Sequence, residues 1–559
     1  MKNIFKALFT AAAVLLLMSS CTGKFEEMNI SPNSPSSSTA DPKMEFQYAL
    51  SRSICYRNTY QSDELIMFTE FCEYDANTTQ ARADYDITDA DTGDMWSRGY
   101  STLKELNNII RISGEDPLYA NLIQMAKIWR CWVMLRTTDI YGDIPYSEAA
   151  SDDAHLPKYD TQKEVYYLMF TELKDAADAL DASKANTVGD YDLIYQGDAA
   201  KWKKFANSLR LRMACRIADV DPSKAATEAA AAISAGVMTS NADGAYMTMG
   251  AESNSDYTWN PIYYGRTSTH SACHMSLAYE RLVTNLGGVA WPTAADQAAN
   301  KQITDASVNA VSHPEKVDPR SPIHFQPAGT LSISDPAFNG FWRGSEPGHS
   351  SNKCLSGELI GLPAGVVDNC QNYANMSLYY RSNPEIPWTI MKYSEVCLLK
   401  AIAGARNLAS VDAKSAYEEG IRADMEFYGV PAATINAYLN STDKNYYGTS
   451  VAYNDNSGSC NTALDKIITQ KYIAGFFEGA FEAWSDHRQY HKPTLIPFAN
   501  ICANFIRSQA DYDNNTSDAY LLRLYYPSSE YNTNEENVRE AVARLGADTY
   551  QKRVWWDVD

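Results

Sequence analysis

Apolar residues that recur at helical spacing in several long segments constrain the fold of this chain more than any other feature. In the segment DAAKWKKFANSLRLRMACRIA they follow one another at intervals of three and four residues, at Trp202, Phe205, Ala206, Leu209, Met213 and Ile217. Much of the remaining surface of this segment is basic, with Lys201, Lys203, Lys204, Arg210, Arg212 and Arg216. This spacing predicts an amphipathic helix with one buried stripe.

The same period occurs on both sides of a central region in which it fades. It is present in KEVYYLMFTELKDAADAL and returns in YSEVCLLKAIAGARNL, AKSAYEEGIRADMEFYGV and ALDKIITQKYIAGFFEGAFEAW. Successive helix pairs without strands between them favour an α-solenoid of the tetratricopeptide kind, although the consensus letters of that repeat are not visible. In the central region, Gly, Ser, Asn, Pro and aromatic residues dominate, which is typical of loops.

This change of pattern predicts the organisation of the chain. We expect helical scaffold over 43–240, an irregular loop-rich insertion over 241–388, and helix pairs with a tail that complete the scaffold over 389–559. A long irregular segment inside a compact protein is more often functional than decorative.

The first residues, MKNIFKALFTAAAVLLLMSSC, predict export. Two lysines precede an apolar run of about twelve residues, which is shorter than the roughly twenty that a membrane span needs. The residues before Cys21 look like a bacterial lipobox, so 1–20 is predicted to be a lipoprotein signal peptide and Cys21 the lipidated residue. The alternative is an ordinary signal peptide with a chance cysteine. Residues 21–42 are rich in Ser, Pro and Asn and predict a flexible tether.

Charge and composition limit the classes of partner that this chain can be expected to bind. The formal charge of the chain is −21, and loss of Lys2 and Lys6 with the signal peptide makes it more negative still. Such an acidic surface argues against nucleic acid, whose phosphates need a basic stripe. The chain has 37 Tyr and 11 Trp, side chains that stack on sugar rings but that also serve plain packing.

The cysteines other than Cys21 show no metal-ligand spacing. Cys131, Cys215 and Cys397 lie in apolar helical patterns and are expected to be small buried side chains. Cys354 and Cys370 lie in a Gly-rich loop and can pair with each other.

Six segments follow the start FEEMNISPNSP in this order: DIYGDIPYSEA, LPKYDTQKEVYYLMFTELKDA, GDAAKWKKFANSLRLRMACRI, WTIMKYSEVCLLKAIA, ALDKIITQKYIAGF with EAWSDHRQY, and RLYYPSSEYNTNEENV. Together they resemble the SusD/RagB family of outer-membrane lipoproteins of Bacteroidetes. From the residues themselves, DIYGDIPYSEA is expected to join two helices, with Gly142 and Pro145 setting turns and Tyr141 and Tyr146 packing. Trp202 and Trp484 are expected in the core.

The resemblance implies a fold and a function. The fold is all-α, a tetratricopeptide-like helix-pair scaffold with a large loop-rich insertion that forms the binding part. The function is non-catalytic capture of an oligosaccharide, and its delivery to a SusC-like TonB-dependent barrel, by a protein lipid-anchored in the outer membrane and facing the extracellular side. The alternatives are a peptide or glycopeptide binder of the same family, a surface glycoside hydrolase, and a purely structural lipoprotein.

Catalytic and metal motifs are weak in this sequence. His270 and His274 in HSACH can share a helix face but lack the glutamate of a zinc-protease motif. Neighbours in WSDHR, residues 484–488, point to different sides of a helix and so do not predict a triad. DYDITDADTGD, residues 84–94, alternates acids like a calcium loop, but a solvated acidic loop fits it better. No metal or cofactor is predicted.

Ligand contacts are predicted from chemistry, because a sugar presents a C–H face to aromatic rings and hydroxyls to Asn, Asp or Arg. The resemblance places the binding face on an early loop and on the irregular insertion. The candidate residues are Asn77, Arg82 and Tyr85 in the early loop, then Trp259, Asn260, Tyr263, Tyr264 and Arg266, and finally Phe341, Trp342 and Arg343.

Overall fold

The computed structural model describes residues 41–54, 67–77, 87–149, 156–247, 273–290, 316–326, 375–381, 383, 385–495 and 521–558. Helices dominate these ranges. They are α1 Pro42–Ile54, α2 Thr69–Phe71, α3 Asp89–Ser113, α4 Ala120–Tyr141, α5 Gln162–Ala179, α6 Ala199–Arg216, α7 Pro222–Ala235, α8 Leu277–Val283, α9 Ser321–His324, α10 Leu378–Arg381, α11 Tyr393–Ala405, α12 Ala413–Phe427, α13 Ala432–Leu439, α14 Ala463–Ala474, α15 Ala480–Tyr490, α16 Ser528–Thr533 and α17 Glu535–Leu545.

Several of the scaffold helices begin at a capping box. Thr88 caps α3 together with Asp91, and Thr161 caps α5 together with Glu164, so that side chains satisfy backbone N–H groups in the first turn. Consecutive helices pack against each other through α3, α4, α5, α6 and α7, and α11 packs against α12 and α14. The predicted all-α scaffold of helix pairs is confirmed.

The stripe predicted for α6 is confirmed, but the prediction for its basic face is wrong in part. Trp202 and the other five apolar residues of the stripe are buried. Arg210, Arg212 and Arg216 are also buried, because each forms an ion pair with a carboxylate on another helix. Helix α6 is therefore enclosed on nearly all sides rather than half-exposed.

The segment DIYGDIPYSEA is part of the scaffold, as predicted. Helix α4 ends at Tyr141, and Gly142 follows with φ +86°, a conformation that favours glycine. Tyr141 and Tyr146 are buried. The predicted core positions of Trp202 and Trp484 and the buried free thiols of Cys131, Cys215 and Cys397 are also confirmed.

Residues 521–558 return to the N-terminal half of the molecule. The backbone N–H of Leu524 donates to the carbonyl of Ile140 (3.0 Å), and the indole N–H of Trp556 donates to the Asp139 carboxylate (2.7 Å). Trp556 is fully buried. The C-terminal segment therefore completes the packing around α4.

Short strands also occur, most of them in the region for which the sequence predicted only irregular structure and one, Asp75–Asn77, within the predicted helical scaffold. They are β1 Asp75–Asn77, β2 Ala245–Met247, β3 Cys273–Met275, β4 Thr284–Ala290, β5 Lys316–Val317, β6 Phe325–Gln326, β7 Asn375–Met376 and β8 Trp388–Met391. They form a four-stranded sheet in the order β1-β3-β7-β6 and two pairs, β2-β8 and β4-β5. Most are too short to show the alternation by which strands are identified in a sequence.

Candidate functional site

The four-stranded sheet brings together parts of the chain that are far apart in sequence. Strands β1 and β3 are antiparallel, with Asp75 opposite Met275 and Asn77 opposite Cys273. Neighbouring strands lie about 4.8 Å apart. The segment 78–86, which follows Asn77, and the segment 248–272, which precedes Cys273, therefore attach at adjacent points on one end of the sheet.

We call this the Asn77 end of the sheet. The register of β3 with β7 places Met376 beside Cys273, and Phe325 pairs with Met376. Residues 327–374 leave from Gln326 and return at Asn375, so they attach at the opposite end.

Most of the predicted contact residues lie outside the described residues and stay predictions. Of the candidates, only Asn77 belongs to a described element, where its backbone ends β1. The remaining candidates fall in the segments that attach to the sheet: Arg82, Tyr85, Trp259, Asn260, Tyr263, Tyr264, Arg266, Phe341, Trp342 and Arg343. Cys21 and the possible pair Cys354 and Cys370 also lie outside the described residues.

A buried aromatic cluster lies around the sheet. The rings of Tyr74 and Tyr472 are 4.6 Å apart, and His324 stacks on Phe476 at 4.3 Å. Tyr279 packs edge-on against Phe325 in the same cluster. All of these side chains are buried, so they support the sheet and are not platforms for a ligand.

Hydrogen bonds fix this cluster to the chain around β1. The Tyr74 hydroxyl donates to the carbonyl of Tyr472 (2.6 Å), and the Tyr472 hydroxyl donates back to the carbonyl of Glu73 (2.9 Å). Burial raises the pKa of Tyr74 well above the usual value for a tyrosine. Burial also lowers the pKa of His324 well below the usual value for a histidine. Both groups are therefore neutral near pH 7.

A buried arginine joins the insertion to the C-terminal helices. Arg320 donates to both carboxylate oxygens of Asp318 (2.9 and 2.7 Å), to Asp424 on α12 (3.0 Å) and to Gln470 on α14 (2.6 Å). The side chains of Arg320, Asp318 and Asp424 are 0% exposed. Burial opposes the charge of Arg320, but Asp318, Tyr438 and Asp424 together outweigh burial and raise the pKa of the guanidinium.

Lys392 completes this arrangement from the end of β8. Its ammonium lies 3.3 Å from Asp424 and donates to the carbonyl of Ala474 at 2.9 Å. Two cations therefore face two carboxylates, which keeps the buried charges balanced. We refer to Arg320, Asp318, Asp424 and Lys392 as the Arg320 clamp.

Two exposed tyrosines near the insertion were not among the sequence candidates. Tyr379 is 37% exposed and lies just after β7, on the Asn77 end, where its ring packs edge-on against Tyr428 (5.7 Å). Burial of part of the ring raises the pKa of Tyr379 to about 12, so its hydroxyl is a neutral hydrogen-bonding group. Tyr446 is 60% exposed, with the guanidinium of Arg281 4.6 Å from its ring.

The sequence predicts that one ring of the pair Tyr379 and Tyr380 is exposed, but it does not identify Tyr379 as the exposed one. Adjacent residues of a helix point about 100° apart, so the pair Tyr379-Tyr380 in α10 should have one outward-facing ring. The sequence does not show which one, and in the structure Tyr380 is buried.

The described residues do not form a catalytic triad at WSDHR. Asp486 pairs with Lys471, and the imidazole of His487 lies 3.2 Å from the carbonyl of Pro493. The Ser485 hydroxyl accepts a hydrogen bond from Arg488 (2.9 Å). The three side chains therefore have separate partners, as the sequence reasoning expected.

The histidine pair of HSACH does not share a helix face, because His274 lies on strand β3. In the ranges that the structure describes, no group of three or more His, Cys, Asp or Glu side chains is placed to hold a metal ion. In the acidic segment 84–94, Asp91 caps α3, and Asp89 accepts a hydrogen bond from the backbone N–H of Ser528 (2.7 Å). Over these same ranges, no helix has both the length and the apolar character needed to cross a membrane.

Comparisons with known proteins identify the family. The family model described as "Starch-binding associating with outer membrane" matches residues 36–315, and the model described as "Susd and RagB outer membrane lipoprotein" matches residues 344–557. No curated protein sequence matches the chain.

Solved structures match along nearly the whole chain. A SusD homologue from Parabacteroides distasonis is 32% identical, with a TM-score of 0.79 over 93% of this chain and 98% of its own. A chitin-binding protein is 27% identical, with a TM-score of 0.70 over 93% of this chain and 100% of its own. A chitin-binding SusD homologue from Flavobacterium johnsoniae, 24% identical, has the same fold, with a TM-score of 0.67 over 92% of this chain and 99% of its own. The chain therefore belongs to the SusD-like family of outer-membrane lipoproteins.

Proposed function

We propose that this protein is a non-catalytic glycan-binding lipoprotein of the cell surface. It captures an oligosaccharide and delivers it to a SusC-like TonB-dependent barrel. The description of the matching family as starch-binding and the two chitin-binding structural relatives support the ligand class.

The observation that carries the proposal is the pairing of β1 with β3. Because Asn77 lies opposite Cys273, the early loop with Arg82 and Tyr85 and the segment that ends at Cys273 start from neighbouring points. Arg266 is only seven residues before Cys273 in the sequence. The partly exposed ring of Tyr379 lies on the same end.

This combination has the chemistry of a sugar site. Aromatic rings stack on the C–H face of a pyranose, and Arg and Asn side chains pair with its hydroxyls. The Arg320 clamp and the buried aromatic cluster hold the sheet, so the loops extend from a rigid base. Such preorganisation reduces the entropy lost when a ligand binds.

Calorimetry with purified protein tests the ligand class. Soluble starch and chitin oligosaccharides are titrated in parallel with peptides of similar length. We expect binding of an oligosaccharide and no binding of the peptides. Binding of peptides alone would replace the proposal with the peptide-binding alternative, and release of new reducing ends during incubation would contradict a non-catalytic role.

Variants at the predicted loops test the site. Trp259→Ala, Tyr263→Ala and Arg82→Ala should each weaken oligosaccharide binding by about tenfold, as expected for loss of one stacking or charged contact. Leu168→Ala is the control, since Leu168 is an exposed residue of the scaffold helix α5. Wild-type affinity in all three loop variants would place the site elsewhere.

The lipid anchor and the barrel partner must be tested in the native host. Mass spectrometry of the mature N-terminus should find acylated Cys21, and Cys21→Ser should release the protein from the outer membrane. Affinity capture of the wild-type protein should recover a TonB-dependent barrel. Capture without any barrel would contradict the delivery step while leaving glycan binding intact.

A further inference from the structure

A groove separate from the four-stranded sheet lies on the scaffold between the middle of α3 and α16. Its volume is about 440 Å³, and its floor contains the side chains of Trp96, Tyr100 and Pro145. Volumes of roughly 300–1,000 Å³ are typical of small-molecule sites. Ser97 lies roughly 12 Å along α3 from the first residue of that helix, at a rise of 1.5 Å per residue. The groove is therefore not at the N-terminus of α3.

Hydrogen bonds hold the walls of this groove in place. Glu530 of α16 accepts from the indole N–H of Trp96 (3.1 Å) and from the hydroxyl of Tyr159 (2.6 Å). The Tyr100 hydroxyl donates to the carbonyl of Pro145 (2.8 Å). The rings of Trp96 and Tyr100 are 4.8 Å apart. The groove is therefore a preorganised surface rather than a gap between loose elements.

The rim of the groove offers side-chain polar groups. Ser97, Ser101 and Lys104 follow one another at helical spacing on the exposed side of α3 and line the groove. None of the three side chains has a hydrogen-bond or ion-pair partner among the residues that the structure describes. A ligand can thus meet two hydroxyls and one ammonium group along one helix face.

The backbone of the groove has few free acceptors. The carbonyl of Pro157 accepts from the Asn534 side chain (2.8 Å), and that of Leu156 accepts from Asn537 (3.1 Å). The carbonyl of Pro145 is occupied by Tyr100. A peptide needs free backbone partners in order to pair in an extended form, so the groove is poorly suited to one.

We propose that this groove is a second carbohydrate subsite that binds one sugar unit of the captured chain. The ring of Tyr100 and the exposed side chain of Leu156 provide apolar surface for the C–H groups of the sugar. Its hydroxyls bond Ser97, Ser101 and Lys104. The inference rests on the proposed function, because it assigns a second contact to the same class of ligand.

Filling the groove tests this inference. In Ser101→Trp, a large side chain is placed at an exposed helix position, so the fold should be retained and the groove blocked. We expect the affinity for long oligosaccharides to fall by about tenfold. Ser223→Trp on α7 is the matched control, since Ser223 is also exposed on a scaffold helix, and its affinity should equal that of the wild type.

A direct readout uses Lys104. Lysines carrying isotope-labelled methyl groups give separate NMR signals, and Lys104→Arg identifies the signal of this residue. Added oligosaccharide should shift this signal in the wild type and leave it unshifted in Ser101→Trp. If the wild type binds oligosaccharide, but Ser101→Trp binds equally well and the Lys104 signal does not move, the second subsite is disproved and the proposed function stands. If the wild type binds no oligosaccharide at all, the proposed function itself fails.

Discussion

The helical scaffold and the insertion are held together in different ways. Scaffold helices such as α3, with 25 residues, and α4, with 22, begin or end at local signals and bury stripes set by their own period. The strands of the insertion have two to seven residues, and β1 pairs with a strand about 200 residues later. Local sequence therefore determines the scaffold elements, whereas distant partners determine the strands.

Both regions contain buried ion pairs, but the pairs connect different parts. In the scaffold, Arg216 lies 2.8 Å from Glu482, 3.4 Å from Asp139 and 3.7 Å from Asp486, and so ties α6 to α4 and α15. In the insertion, the Arg320 clamp ties a two-residue strand and a four-residue helix to α12 and α14. The first network joins elements that have their own helical order. The second positions elements that have little order of their own.

The largest expected effect is at Arg216. Arg216→Met leaves Asp139 without its cation and weakens the pairing of Glu482 and Asp486. Breaking a buried ion pair from one side costs up to about 5 kcal/mol of unfolding free energy. Urea unfolding should show this loss as a cooperative shift of the whole transition. Lys174→Met, at an exposed pair on α5, should leave the midpoint unchanged.

Arg320→Met should have a smaller and more local effect. It removes the cation beside Asp318, which keeps a hydrogen bond from the Tyr438 hydroxyl, and Asp424 keeps Lys392, so we expect a loss of about 3–4 kcal/mol. Hydrogen exchange should speed up in β3, β6 and β7 while α3 to α7 keep their protection. Oligosaccharide affinity should also fall, because the strands that carry the binding loops are less ordered. Equal loss of protection in both regions would show that the distinction between them is wrong.

The pH dependence of the unfolding free energy should reveal the buried His487 of the scaffold. Burial lowers the pKa of His487 to about 4, whereas an unfolded histidine has a pKa of about 6.5. The unfolded state therefore binds a proton that the folded state does not, and stability falls as pH drops from about 6.5 to about 4. The loss from this group is about 3 kcal/mol. His487→Gln should remove this part of the pH dependence in urea unfolding, and an unchanged slope would contradict the assignment.

The smallest effects come from helix caps, and here the two regions can be compared directly. Ser276 caps α8 in the insertion, and its hydroxyl also bonds the carbonyl of Glu73 beside β1. Ser276→Ala should cost about 2 kcal/mol because it loses both contacts. Thr161→Ala, which removes a scaffold cap, should cost about 1 kcal/mol. Equal costs in urea unfolding would mean that the bond from Ser276 to Glu73 contributes nothing.

The sequence predicted the scaffold well because its signals are local. The apolar stripe of α6 and the packing role of DIYGDIPYSEA follow from helical period and from residues such as Gly142. The same reasoning failed for Arg210, Arg212 and Arg216, since their partners lie on other helices. A charged residue shows its partner only when the fold brings the two together.

The candidate site was predictable in part. Composition and turn residues predict loops in the insertion, and aromatic and amide side chains predict the ligand chemistry, and both of these stay predictions. The pairing of Asn77 with Cys273 was not predictable, because strands of three residues show no alternation and the connection spans almost 200 residues. The exposure of Tyr379 rather than Tyr380 depends on the packing of the Tyr380 ring against Phe476 and Phe477.

The return of residues 521–558 to α4 has a consequence for biogenesis. Asp139 is buried near the middle of the N-terminal half, yet its partners Trp556 and Arg216 come from distant parts of the sequence. A polypeptide that is synthesised N-terminus first cannot cover that carboxylate with Trp556 until residue 556 has been added. The packing around α4 is therefore incomplete until residues 521–558 are present. We expect the N-terminal helices to reach their final packing late in folding rather than one after another along the chain.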